Sequence, residues 1–317
     1  MQKKETILLL LSERIGDVIF CTPAIKLLSI TYPHSKIEAL TPSQAAEQVI
    51  LHNPAIHKIH VDLSDKQISA MAKNYSMVID LHNNRTTEKW RNLLQHKATY
   101  VNPRKGLIHQ SQVATHFIAE VLNISIEDPI SAEYKLYPQQ QHNLRSEGWL
   151  REHDIDLTQH MLVGCHMGSH TTTRRGWKFW KPLTGEKCWP ISAFGEVMQN
   201  MTENNPMIRF VLTGTPSEIA LAKKLKKYYP DSINLIGKTS VLDLAALMPF
   251  FRVFLTGDTG PMHIASAMNT PIVGLFGPTE PEHTGPFPMR PHHIILKANN
   301  LPEISTQTVI NALECFV

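Results

Sequence analysis

Residues 254–285, FLTGDTGPMHIASAMNTPIVGLFGPTEPEHTG, read as strand, turn, helix, strand and loop, and that order decides the fold. Phe250 to Leu255 is an apolar run of strand length, and Thr256-Gly257-Asp258-Thr259-Gly260 makes a turn. Pro261 suits the first position of a helix, where its missing N–H costs nothing. Met262, Ile264, Ala265 and Met268 recur at helical spacing, and Asn269-Thr270-Pro271 stops the run. Pro271 to Phe276 is a second buried strand, closed by Gly277-Pro278. A helix N-terminus after a glycine turn attracts phosphate, because unpaired N–H groups and the helix dipole point at the anion. The His263 side chain lies within the first turn and can reach the same ligand. A plain βαβ unit with a Gly-rich turn has the same outline, so fold alone does not give the function.

The same alternation runs outward in both directions. Toward the N-terminus, strands are expected at Ile7–Leu11, Ser35–Leu40, Lys58–Val61 and Met77–Leu81, with helices at Asp17–Ser29, Glu88–Gln95 and Gln112–Leu122. The pattern lapses from Asn123 to Gln141, and a helix over Asn143–His153 opens the second half. There, Met161–Cys165, Ile208–Leu212 and Ile233–Leu235 are strand-like, and Ile191–Met201, Ser217–Tyr228 and Ser240–Met248 are helical. Two successive α/β units follow, residues 1–142 and 143–317, each a doubly wound parallel sheet. The last helix is a candidate to pack back on the first domain. In open sheets of this kind, ligands bind beyond the carboxyl ends of the strands.

Composition narrows the class. A chain of 317 residues with 42% hydrophobic and 19% charged residues describes a globular protein with a sizeable core. The formal charge of +3 gives no global pull toward nucleic acid, so anion preference must come from local patches. The 17 histidines include no HExxH pair, and Cys21, Cys165, Cys188 and Cys315 show no CxxC spacing. Free thiols in a reducing compartment are expected, with no metal site and no cofactor. The apolar core Ile7–Leu11 is too short for a secretory segment, and no later run reaches membrane-spanning length. A cytoplasmic protein is the expectation.

The opening stretch carries two motifs, and one segment near the N-terminus joins them. Asp258-Thr259-Gly260-Pro261-Met262-His263 and Phe276-Gly277-Pro278-Thr279 closely resemble the nucleotide-sugar signature of the bacterial lipopolysaccharide heptosyltransferases, glycosyltransferase family nine. Near the N-terminus, Gly16-Asp17, a short apolar stretch and Thr22-Pro23 match the family's first motif. Alone, Asp17 reads as a helix cap. Beside the Asp258 segment it reads as the base that takes the proton of an attacking hydroxyl, the role the resemblance gives it. The single glycine here argues against a dinucleotide fingerprint, which needs three. Ile236-Gly237-Lys238-Thr239 is like the end of a P-loop, but Ser232 stands where its leading glycine belongs.

The resemblance implies a GT-B fold, two Rossmann-like domains facing a cleft, the first for acceptor and the second for donor. It implies inverting, metal-independent transfer of heptose from ADP-heptose to a Kdo or heptose residue on lipid A, at the inner-membrane surface. Lys187, in Lys187-Cys188-Trp189-Pro190, resembles the family's pyrophosphate partner, where it would neutralise charge on the departing ADP. Thr259, Gly260 and His263 would also hold the pyrophosphate, Asp258 would position the donor, and Thr239 falls where the family contacts the base. Glu218 matches a ribose-binding glutamate, though Thr215, Ser217 and Glu218 equally suit a helix start.

One departure from the family is the long stretch between Gly168 and Lys187, where Arg174, Arg175, Lys178 and Lys181 interleave with Trp177, Phe179 and Trp180. It suits contact with an anionic lipid head or membrane surface, or a loop packed on its own domain. On the acceptor side, Arg85 in Asp80–Arg85, with Arg104, Lys105 and His109, are candidates for carboxylates or phosphates. The run Lys223–Lys227 reads as a solvated helix face. Two rivals stand: a GT-B-like enzyme using another nucleotide sugar, such as an epimerase, and a non-catalytic nucleotide-sugar-binding protein.

Overall fold

The run TILLL forms β1 (Thr6–Leu10), and Ile7 to Leu11 are wholly buried. A strand covered on both faces reads as one apolar run instead of an alternation, which marks a parallel sheet. Each fully buried Leu or Ile there contributes about 1.5–3 kcal/mol relative to exposure. The computed structural model describes residues 5–103, 108–125, 133–168 and 188–317. The chain divides into two compact units, Met1–Tyr137 and Pro138–Val317.

In the first unit, β2 (Lys36–Thr41), β3 (Lys58–Val61), β4 (Met77–Asp80) and β5 (Thr99–Val101) join β1 in the order β3-β2-β1-β4-β5. Every pairing is parallel, with Leu9 opposite Ala39 on one side and Ile79 on the other. The sheet grows one way through β2 and β3, then the other way through β4. That reversal leaves a crevice at the carboxyl ends of β1 and β4, the usual ligand position in such sheets.

One helix was expected from Asp17 to Ser29, and two are found, Ile15–Phe20 and Thr22–Thr31. The cause is Pro23, which has no N–H to give the Ile19 carbonyl in the next helical turn. The Thr22 hydroxyl donates to Ile19 O instead, at 2.8 Å. Helix Gln110–Leu122 then packs against Thr22–Thr31.

The second unit opens with helix Gln140–Glu152, packed on helix Val241–Leu247, where Arg145 Nε meets Asp243 Oδ1 at 2.6 Å. Its sheet contains β6 (Met161–His166), β7 (Ile208–Thr213), β8 (Ile233–Asn234), β9 (Phe251–Gly257), β10 (Ile272–Phe276) and β11 (His293–Lys297). The order is β11-β10-β9-β6-β7-β8, all parallel, so the reversal lies between β6 and β9. Trp189 is core: it meets Phe194 edge-on at 4.8 Å and donates its Nε1–H to Ile304 O at 2.9 Å. The final helix, Thr306–Leu313, packs on helix Ile191–Asn204 and on β10. The expected helix Ser217–Tyr228 is a 3-10 turn, Pro216–Glu218, followed by a shorter helix, Ile219–Leu225.

Candidate active site

In the first unit the loop after β1 is tied to the end of β2. Leu11 N–H donates to Leu40 O, the Thr41 hydroxyl to Ser12 O, and the Ser43 hydroxyl to Glu13 O. Arg14 holds the cap position of helix Ile15–Phe20, so Asp17 is not its N-cap residue. The Asp17 carboxylate is half-buried, and its Oδ2 accepts the Ser12 hydroxyl at 3.2 Å. Below it, the buried Cys21 Sγ lies 3.6 Å from His82 Nε2, linking this helix to the turn after β4.

That turn is built on Asp80, which is fully buried. Its Oδ1 accepts the N–H groups of His82 and Asn83, at 2.9 and 2.8 Å, while Oδ2 pairs with Arg91 at 3.1 Å. Asp80 is therefore committed to shaping the turn. Asn84 caps the following helix through the Thr86 and Thr87 N–H groups and leaves Arg85 exposed at its first position. His109 is placed differently from a solvent-facing anchor: it is 5% exposed, and its Nδ1 accepts the Ser111 N–H at the start of helix Gln110–Leu122. Its ring also packs edge-on against Phe20 at 5.4 Å.

In the second unit the signature turn leaves β9 beside the strand reversal. Thr259 is the cap residue of helix Gly260–Ala267, and Pro261 sits one place later than expected, at its second position. Gly257 to Pro261 are half-exposed at the helix start, where every one of them but Pro261 carries a backbone N–H. The Thr259 hydroxyl lies 3.1 Å from that of Thr256. Asp258 Oδ2 accepts the Thr284 hydroxyl at 3.1 Å, which fixes it to helix Pro281–Thr284. His263 is buried in the same helix.

Glu218 is 4% exposed and lies against two chain segments that only glycine could supply. A Cβ on Gly168 would fall on its carboxylate, and one on Gly214 would approach Oε2 to 2.9 Å. Oε2 accepts both the N–H of Thr215, at 2.7 Å, and its hydroxyl, at 3.0 Å. Oε1 faces His166 Nε2 across 3.8 Å. The turn holding Thr239 is joined to this one by Gly237 N–H, which donates to Gly214 O at 2.8 Å. Thus Glu218 and Thr239 share one end of the sheet, after β7 and β8.

Lys187, Arg104, Lys105 and the basic aromatic stretch 169–186 lie outside the described residues. Among the described residues, no group of three or more His, Cys, Asp or Glu side chains is placed to hold a metal ion. None of the described helices is long and apolar enough to cross a membrane. None of the four cysteines is joined in a disulfide, and burial pushes the Cys165 thiol well up from its ordinary range. His166 carries no motif in the sequence, whereas Gly214 stands in the stretch Thr213-Gly214-Thr215-Pro216-Ser217-Glu218. Their signal was position: each stands at or just beyond the carboxyl end of an apolar run, where α/β sheets place ligand contacts.

Residues 181–313 match the model of glycosyltransferase family 9 (heptosyltransferase). The chain is 25% identical over 300 residues to lipopolysaccharide heptosyltransferase 3 of Escherichia coli, covering 84% of this chain and 81% of that one. Among solved structures, it is similar to a family 9 glycosyl transferase from Veillonella parvula, with a TM-score of 0.83 and 22% identity over 100% of this chain and 98% of the other. It is also similar to the E. coli heptosyltransferase WaaC with ADP, at a TM-score of 0.71 and 16% identity over 98% and 100%. Similarity to structures at this level of identity concerns the fold.

Proposed function

We propose, from the premise that the chain belongs to glycosyltransferase family 9, that it moves a heptose from ADP-heptose to a hydroxyl of the lipopolysaccharide inner core. The observation that carries this reading is the half-exposed turn Gly257–Pro261, at the start of an eight-residue helix and beside the strand reversal. Backbone N–H groups there suit a pyrophosphate. The first unit carries its own candidate group, the half-buried Asp17 carboxylate after its central strand.

In this mechanism Asp17 accepts the proton of the acceptor hydroxyl as its oxygen bonds to the anomeric carbon. Ser12 holds Oδ2, which leaves Oδ1 to take the proton. The bond from that carbon to the ADP oxygen breaks, ADP leaves with the electron pair, and the configuration inverts. Charge building on the leaving pyrophosphate is met by the Thr259 and Gly260 N–H groups, by His263 and, from the sequence, by Lys187. Such preorganised donors act most strongly where charge develops, and they suffice without a divalent ion. Glu218 takes the ribose and Thr239 the base side. Asp258, held by Thr284, orients the donor sugar. Arg85 offers an exposed cation to Kdo carboxylates or lipid A phosphates, with Arg104 and Lys105 as sequence-based partners. The acceptor is membrane-borne, so the enzyme works at the cytoplasmic face of the inner membrane.

Asp17→Asn tests the assignment. Turnover should fall by about 100-fold or more, since general base catalysis typically contributes 10²–10⁴. ADP affinity measured by calorimetry should be unchanged. Retained turnover with lost ADP affinity would contradict the role given to Asp17.

A further inference from the structure

We propose that His166 is a second acceptor for the vicinal diol of the donor's ribose, shared with Glu218 and read as a pair. The inference rests on the ADP-sugar reading above. His166 Nδ1 lies 3.1 Å from the Thr213 carbonyl oxygen. A carbonyl oxygen only accepts, so Nδ1 carries the hydrogen, and in the neutral ring Nε2 is an acceptor. That Nε2 faces Glu218 Oε1 at 3.8 Å, beyond hydrogen-bond range. The other carboxylate oxygen is already taken by the Thr215 N–H and hydroxyl. Two acceptors therefore converge on one point with no hydrogen between them.

Two adjacent hydroxyls satisfy both acceptors, each donating to one of them. A lone hydroxyl can serve only one. The pair lies at the carboxyl end of β6 and just after β7, where the Gly168 and Gly214 backbones approach the Glu218 carboxylate more closely than any residue with a Cβ could. Placement and chemistry both select a cis-diol sugar over a deoxy sugar.

The test is calorimetric titration of ADP, 2′-deoxy-ADP and 3′-deoxy-ADP into wild type, His166→Ala and Glu218→Gln. Wild type should bind each deoxy nucleotide about tenfold or more weaker than ADP. His166→Ala should bind ADP about tenfold weaker and lose the penalty for one deoxy analogue only. Glu218→Gln should reduce the penalty for the other. Because His166 is buried, nitrogen NMR of the wild-type histidines gives a second measurement. Nε2 of His166 should be unprotonated in the free protein and should shift with ADP but not with one of the deoxy analogues. Full penalties in His166→Ala, or a protonated Nε2 that ADP leaves unmoved, overturn the proposal while leaving the donor reading intact. Absence of ADP binding to wild type overturns both.

Discussion

Substituting Gly168 by Ala should disable the proposed donor site while leaving the fold standing. An added Cβ would land on the Glu218 carboxylate, overlapping Oε1 and coming within 3.2 Å of Oε2. The carboxylate must swing away, which breaks its bonds from the Thr215 N–H and hydroxyl. Hydrogen bonds to a charged group contribute about 1.5–3 kcal/mol each, but the freed carboxylate regains hydration, so the net cost is roughly 2 kcal/mol. For a unit the size of Pro138–Val317, a loss of that size lowers the melting temperature by about 4–8 °C. ADP affinity should fall by about tenfold or more, because the ribose loses a charged acceptor. Thermal melts followed by calorimetric titration with ADP measure both effects on one sample. A Gly168→Ala protein with unchanged melting temperature and unchanged ADP affinity would refute the packing of Glu218 against Gly168 and its place in the donor site.

Arg145→Ala should destabilise the second unit by about 1–2 kcal/mol, since it removes a charged partner from the nearly buried Asp243, as denaturant titration would report. Burial pushes the Asp243 carboxyl up, but Ser240 and Arg145 outweigh it and hold its pKa below the ordinary carboxylate range. Its stabilising effect is therefore complete above the unfolded-state value near 3.8 and is lost as pH falls through the lower folded value, so the cost of Arg145→Ala should shrink in strong acid. His293 behaves with its own window. Burial, with His292 and Arg290 nearby, lowers its pKa to about 3 from 6.5, so the unfolded chain binds its proton first and stability should decline as pH drops from 6.5 toward 3. Melting curves across that range should be flatter in His293→Phe, and equal slopes would contradict the assignment.

Much of this architecture is legible in the chain because parallel strands covered on both faces appear as unbroken apolar runs. Ile7–Leu11 is such a run and Phe250–Leu255 is another, interrupted only by the exposed Arg252, and both precede the turns that matter. Legibility failed where elements are short or depend on distant partners. β5 has only three residues and takes its shape from β4, and β11 ends in the Lys297 that reaches Gly277 O. Helix Asp65–Met71 did carry a signal, Ser64 and Gln67 in capping-box spacing, whereas Gln44–Ile50 is announced only by Ser43. At the site, the Asp17 and Asp258 turns could be read because their residues are contiguous. The Glu218 environment could not, since Gly168 meets a side chain fifty positions away and His166 shows its partner only after β6 and β7 pair.

The most direct measurement gives the purified protein ADP-heptose with and without a Kdo–lipid A acceptor, following ADP release and acceptor mass together. ADP should appear only when acceptor is present, in step with a gain of one heptose on the acceptor. Donor consumed without acceptor, or donor bound with neither ADP nor product formed, would contradict it.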